Sequence, residues 1–301
     1  MSGIRCVDLG VPVLLEFRGP DAVRFLNGQI TQDVRRVVGK KISLPSCVTD
    51  AKGKLQFRVT VTEADDGALR MEGPAEYCAG LEARITRYLI ADDVEASDLT
   101  GGFSLVHVIG GAETPQAGVM ARASNRFGID GVDCWIPSGT VFEAPDGATW
   151  LAGDELEAFR IARGVPVWGR ELSEGVLPAE AGLDETDVSY QKGCYIGQEV
   201  ISRMKSAGKV NRRLSLLSLA PDFHSAGAVL SDARGEPAGE ITSVSPMVVD
   251  GRRPAIAWVK RGVDVLLAAP GNEGAQTRQE VAFTPCRLFP LGTREPFSPI
   301  P

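Results

Sequence analysis

From Arg213 to Phe283 the chain carries short apolar runs, at 214–219, 228–230, 239–244, 255–259 and 281–283, and no convincing helix between them. Gly- and Pro-bearing turns separate the runs. Short strands at such spacing bury their apolar side by closing into a small barrel or stacking as a sandwich. Residues 213–295 are therefore expected to form a C-terminal β-barrel domain, followed by a frayed tail over 296–301.

The preceding 212 residues read differently, as mixed α+β. Val11 to Phe17 is an expected strand. Asp21 is a fair N-cap for a short helix carrying Ala22, Val23, Phe25 and Leu26, which Gly28 would end. The clearest hairpin joins 41–49 to 54–62 across Asp50-Ala51-Lys52-Gly53, with Leu55, Phe57, Val59 and Val61 alternating onto one face. A strand near 68–72 leads into a helix expected over 76–90, where Cys78, Leu81, Ile85 and Leu89 fall at helical spacing. Strands near 93–97 and 103–109 follow. His107, in phase with Phe103, Leu105 and Ile109, reads as a hydrogen-bonded core residue rather than a ligand. Short strands and turns over 111–149 place a subdomain boundary near 110–150. A helix from Asp154 to Arg163 is stopped by Gly164 and Pro166. Residues 165–198 form a long polar loop, of the kind that more often carries function than decoration.

The bulk properties narrow the classes. With 32 basic and 39 acidic residues among 301, the net charge is −7, which argues against wholesale nucleic-acid binding. No run approaches the roughly 18–20 apolar residues of a membrane span. The N-terminus Met-Ser-Gly-Ile-Arg-Cys-Val-Asp has no secretory pattern, so a cytoplasmic protein is expected. Cys6, Cys47, Cys78, Cys134, Cys194 and Cys286 are scattered without a C-x-x-C, so spacing offers no metal site and predicts free thiols. A monomer is the default expectation.

Chemistry concentrates at Lys192-Gly193-Cys194-Tyr195-Ile196-Gly197-Gln198-Glu199. Free cysteine is among the most buried residue types, which favours a packed thiol at 194. Against that stand Lys192, a flanking glycine and a helix start just downstream, each of which would favour thiolate. On residues alone the two readings are about even. Tyr195 could offer an aromatic face for stacking, and Gln198 with Glu199 could read the edge of a heterocycle or could be a solvated loop edge. The basic run Arg203, Lys205, Lys209, Arg212 and Arg213 is by default a solvated face, with anion binding the minority reading.

The eight-residue segment resembles the signature of the YgfZ-type family of folate-binding or tRNA-modifying proteins. Phe25-Leu26-Asn27-Gly28-Gln29-Ile30-Thr31-Gln32-Asp33-Val34, Arg160-Ile161-Ala162-Arg163-Gly164-Val165-Pro166, Leu177 to Leu183, and Gly208-Lys209-Val210 with Arg212-Arg213-Leu214 are similar to its other motifs, in the family's order. The family resembles the aminomethyltransferases. The resemblance implies an aminomethyltransferase-like ring of α+β domains around a tetrahydrofolate-sized central cavity, plus the C-terminal barrel. It implies upkeep of iron–sulfur enzymes, including those that modify tRNA by radical chemistry, with iron–sulfur enzymes or assembly factors as partners. Cys194 would be the key functional residue, Lys192 would lower its pKa, and Gln198, Glu199 and Arg203 would order the loop or line the cavity.

Two positions depart from the aminomethyltransferase pattern. Gly53-Lys54-Leu55-Gln56-Phe57-Arg58 has no carboxylate where those enzymes carry acids, which removes an evident acid or base for aminomethyl transfer. Ala162 stands where they usually have a glutamate that accepts from the pterin ring. The alternatives to an accessory protein are a folate-dependent aminomethyltransferase or one-carbon transferase, and a scaffold with a vestigial pocket.

Overall fold

A computed structural model describes residues 3–77, 80–110, 116–208, 210–268 and 279–288. The described chain divides into two compact units. One holds residues within Met1–Leu151 and Thr186–Ser202, the other residues within Ala152–Glu185 and Arg203–Leu288.

In the first unit the strands are β1 (Arg5–Asp8), β2 (Val13–Arg18), β3 (Ser43–Thr49), β4 (Leu55–Glu63), β5 (Leu69–Gly73), β6 (Glu95–Asp98), β7 (Phe103–Ile109), β8 (Met120–Ser124), β9 (Gly131–Pro137) and β10 (Thr149–Leu151). They form two five-stranded sheets, ordered β3-β4-β5-β2-β6 and β10-β1-β7-β9-β8. The expected hairpin is β3–β4, and its turn is locked by Asp50 Oδ1, which accepts from the Lys52 and Lys54 amides at 2.8 and 2.9 Å. Helices α1 (Ala22–Gln29) and α2 (Leu81–Thr86) bury Phe25, Leu26, Leu81 and Ile85, and the Phe25 ring meets Phe17 of β2 at 6.3 Å between centroids.

Trp135 of β9 packs with Leu14, Ala64, Ala68 and Leu105, joining side chains of both sheets in one core. Beside it lies an ionic relay. The Arg126 guanidinium is 2.6 Å from Glu72 and 2.7 Å from Asp133, and Asp133 Oδ1 is 2.8 Å from Nδ1 of His107, which is fully buried. Burial alone would raise the Asp133 pKa, but Arg126 and the His107 bond hold it well below the usual carboxylate range. His107 is thus a core residue, as its phase in β7 indicated.

Several boundaries differ from the sequence expectation. Gly28 does not end α1, which continues to Gln29 with Ile30 as its C-cap. Asp21 makes no capping bond; its carboxylate accepts from the Asp93 amide and pairs with Arg24 instead. The helix expected over 76–90 shrinks to α2, preceded by a 3-10 turn at Ala75–Tyr77, because Gly80 and nearby Pro74 are weak helix formers. Cys78 lies outside the described residues.

The second unit contains α3 (Gly153–Ala162) and the strands β11 (Arg212–Leu219), β12 (Val229–Ser231), β13 (Pro237–Val244), β14 (Arg253–Lys260), β15 (Leu266–Ala268) and β16 (Gln279–Pro285). Helix α4 (Gln198–Ala207) begins in the first unit, and its residues from Arg203 onward belong to the second. The strands close as β11-β14-β13-β12-β15-β16, the expected barrel. β15 was not anticipated, since three apolar residues beside a run of alanines give no strand period. It is nevertheless the closing element, pairing Ser231↔Leu267 on one side and Leu266↔Val281 on the other. Leu217, Leu230, Ile241, Ala255 and Ala257 form a core with no exposure. At Gly239 a Cβ would lie 2.4 Å from the Trp258 carbonyl oxygen, so only glycine fits that crossing.

Arg160 of α3 is the principal buried cation of this unit. Its guanidinium reaches Glu157 at 2.6 Å, Glu171 at 3.1 Å, the Val165 carbonyl at 2.9 Å and Ser243 Oγ of β13 at 3.0 Å. Replacing it leaves Glu171, which is fully buried on its side chain, without its cation. Arg160→Met is expected to lose about 3–5 kcal/mol in a chemical-denaturation titration, and a loss below about 1 kcal/mol would refute this account of the pair.

Candidate functional site

No regular helix or strand occurs between α3 and α4, so the backbone polar groups of 186–197 must find partners elsewhere. They find them in the segment that ends α1. Lys192 is buried, and its ammonium donates to the carbonyls of Asn27, Ile30 and Gln32, each at 2.7 Å. The Ile196 amide donates to the Gly28 carbonyl and the Ser189 amide to that of Thr31. In return Thr31 Oγ1 donates to the Asp187 carbonyl at 2.6 Å, and Gln32 Nε2 donates to that of Thr186 at 2.8 Å. Two motifs some 160 residues apart therefore interlock. Burial pushes the Lys192 pKa down to about 7, against the pull of Asp33. Three carbonyl acceptors nonetheless require three N–H donors, which only the ammonium supplies.

The far end of the loop is pinned to the hairpin. Gly197 has φ +89°, and a Cβ there would sit 2.5 Å from the Asp50 carbonyl oxygen and 2.9 Å from Gly53 Cα. Thr49 Oγ1 donates to the Ile196 carbonyl at 2.6 Å. Glycine is thus required at 197 twice, for its backbone angle and for the close approach.

Beneath the loop, Arg58 of β4 makes a two-point ion pair with Asp187 at 2.7 and 3.2 Å, with the Asp187 side chain fully buried. Arg84 of α2 donates to the Gln56 side chain at 2.6 Å and to the Thr49 carbonyl at 2.9 Å. The stretch without its own carboxylate at 53–58 therefore borrows one from the long loop, and spends it on Arg58. Arg58 and Asp187 carried no local signal of this pairing, because 129 residues separate them.

The residues expected at the site take distinct places. Cys194 is a free, exposed thiol, whereas Cys6, Cys47, Cys134 and Cys286 are buried. Burial raises the pKa of Cys6, Cys47 and Cys286. Lys192, expected to act on the Cys194 thiol, instead spends its protons on the three carbonyls. Tyr195, expected as a stacking face, is buried with Val188 and Ile201, and its ring lies under the Lys192 ammonium at 5.0 Å. Burial raises its pKa, and its hydroxyl has no partner among the described residues. Gln198 and Glu199 open α4, and Arg203 follows one turn later with its side chain exposed. Of the basic run, Lys205 lies 3.7 Å from Asp184 and Arg212 lies 3.4 Å from Glu180; Lys209 is outside the described residues. Among the described residues no group of three or more His, Cys, Asp or Glu side chains could hold a metal ion, and no helix is long and apolar enough to cross a membrane.

No protein-family profile matches the chain. Individual proteins do. It is 25% identical over 272 residues to the mitochondrial iron-sulfur cluster assembly factor IBA57 homolog of Cryptococcus neoformans, covering 77% of this chain and 71% of that one. It is 26% identical over 232 residues to the tRNA-modifying protein YgfZ of Sodalis glossinidius, covering 68% of each. The chain is thus similar to YgfZ-type proteins, to an iron-sulfur cluster assembly factor and to aminomethyltransferases. Its likeness to the Mycobacterium tuberculosis aminomethyltransferase is 24% over 220 residues, covering 64% of this chain and 60% of that enzyme. Its fold is that of aminomethyltransferase T of the Bartonella henselae glycine cleavage system, with a TM-score of 0.75 at 16% identity over 96% of this chain and 88% of the enzyme. The segments Phe25–Val34 and Lys192–Glu199, which resemble the motifs of YgfZ-type proteins, are the two halves of the clasp just described.

Two predictions follow from the geometry. Lys192→Met leaves three carbonyls without their donor and should cost about 3 kcal/mol or more in denaturant unfolding, with faster hydrogen exchange at Ile196 and Ser189; unchanged exchange there would refute the clasp. Brief treatment of the native protein with iodoacetamide should place the adduct on Cys194 and leave Cys6, Cys47, Cys134 and Cys286 unmodified until denaturant is added. Mass spectrometry of the peptides reads the order directly.

Proposed function

We propose that this chain is an accessory protein of iron–sulfur cluster assembly or repair, and that Cys194 is the thiol through which it acts. The observation that carries this reading is one exposed cysteine displayed on a loop held at both ends, at Lys192 and at Gly197. Such a mount keeps a thiol accessible while restricting the loop that bears it. The names of its relatives, an iron-sulfur cluster assembly factor and a tRNA-modifying protein, support the same reading. Its partners are then iron–sulfur enzymes or their assembly factors, which Cys194 meets as a transient ligand or a redox thiol.

The test is complementation. In a strain lacking the gene, Cys194→Ala should fold with an unchanged melting temperature yet fail to restore the activity of iron–sulfur enzymes under oxidative stress. Full rescue by Cys194→Ala would sink the proposal.

A second reading, folate-dependent one-carbon transfer, draws support from the relatives named aminomethyltransferase. The residues here speak against a transfer step. Gln56 and Arg58 are committed to Arg84 and Asp187, and Ala162 has no side-chain acceptor for a pterin. Tetrahydrofolate therefore stands as a candidate ligand, with no chemical step assigned to it. Calorimetric titration with tetrahydrofolate decides whether it is bound, and turnover in a glycine cleavage assay with the lipoylated carrier protein would overturn the accessory reading.

A further inference from the structure

The mouth of the C-terminal barrel carries a feature that the Cys194 reading does not use. Along β11 the side chains of Leu217, Ser215 and Arg213 fall on one face, since alternate residues of a strand share a side. Leu217 lies in the barrel core with no exposure, Ser215 is 1% exposed, and Arg213 is exposed. That row therefore leads from the sealed interior to solvent. A cleft of about 210 Å³ opens there, walled by Val259, Phe283 and Pro285 and edged by Arg213, Lys260 and Arg261. Barrel mouths are recurrent ligand sites because they offer apolar walls already built, with polar groups at the rim.

The charges at this mouth are unusual for the chain. The protein carries a net charge of −7, yet no Asp or Glu is among the residues lining the cleft. Arg212, the neighbour of Arg213, is spent on Glu180 and on the Trp258 ring at 4.2 Å. Arg213 and Arg261, in contrast, meet no carboxylate among the described residues. Lys260 donates to the Pro237 carbonyl, which leaves its charge unneutralised. Two free guanidiniums and an ammonium around an apolar floor call for a group of two or three negative charges. A phosphate or diphosphate carries that charge and a single carboxylate does not, and its oxygens match the fork of a guanidinium.

We propose that the barrel mouth binds an organic phosphate, its phosphate oxygens held by Arg213, Arg261 and Lys260 and its body resting on Val259, Phe283 and Pro285. The aromatic Phe283 and flat Pro285 suit a planar body, whereas the valine suits an aliphatic one. The site is independent of the thiol loop, so either could fail without the other.

Isothermal titration of the full-length protein with ADP, hexyl phosphate, adenosine and inorganic pyrophosphate tests both halves of the site. ADP or hexyl phosphate should saturate at least tenfold more tightly than adenosine and pyrophosphate, and the binding should weaken steeply with added salt. The double variant Arg213→Glu, Arg261→Glu should lose that binding while keeping its melting temperature, because both side chains are exposed. Val259 and Phe283 both pack in the barrel core, so Phe283→Leu, checked for an unchanged melting temperature, serves as the second variant and should weaken ADP while leaving pyrophosphate unchanged. The proposal is overturned if neither organic phosphate binds, if pyrophosphate alone binds as tightly, or if the double variant binds like the parent.

Discussion

One ammonium group organises the candidate site. Lys192 places its three protons on three carbonyls that the end of α1 would otherwise leave without donors. A buried cation costs several kcal/mol unless it is fully solvated by protein groups. Here the carbonyls replace water around the cation, and the cation satisfies the carbonyls. Removing either side leaves the other exposed to the full desolvation cost, which makes the arrangement sensitive to change at both motifs. The Tyr195 ring, lying below the same charge, adds a cation–π contact and closes the apolar side of the group.

The other interactions of the loop follow from that fixed point. Ile196 and Gly197 lie against the β3–β4 turn, where only glycine at 197 permits the approach. Arg58 and Asp187 pair under the loop. Cys194 lies between the two attachments and contributes to neither, so it is the residue left outward. The dense chemistry of the signature is thus mostly architecture. Its lysine, tyrosine and second glycine build a mount, and the thiol is what the mount displays.

How much of this could be read beforehand depends on whether the cause was local. The barrel was legible because its strands alternate and its turns carry Gly and Pro, and the β3–β4 hairpin was legible from Asp50 to Gly53 in the same way. β15 was invisible because its pairing partners, not its own three residues, make it a strand. The importance of positions 192–199 could be recognised from their composition and from the family resemblance. The role of Lys192 could not, because a lysine next to a cysteine suggests electrostatics on the thiol, while its actual partners are backbone carbonyls and leave no mark in the sequence. Asp187 was missed for the same reason: its partner Arg58 lies on another strand, read there only as the polar face of β4.

The separation of the interlocking motifs also bears on how the molecule is made. The carbonyls of Asn27, Ile30 and Gln32 emerge from the ribosome some 160 residues before their donor. Until Lys192 is synthesised and docks, that corner of the α+β unit has no alternative but water. Contacts of such sequence distance form late, because the entropy of closing the intervening chain must be met first. The attachment at Lys192 therefore needs only chain made before Cys194, whereas the one at Gly197 needs the residues that follow it.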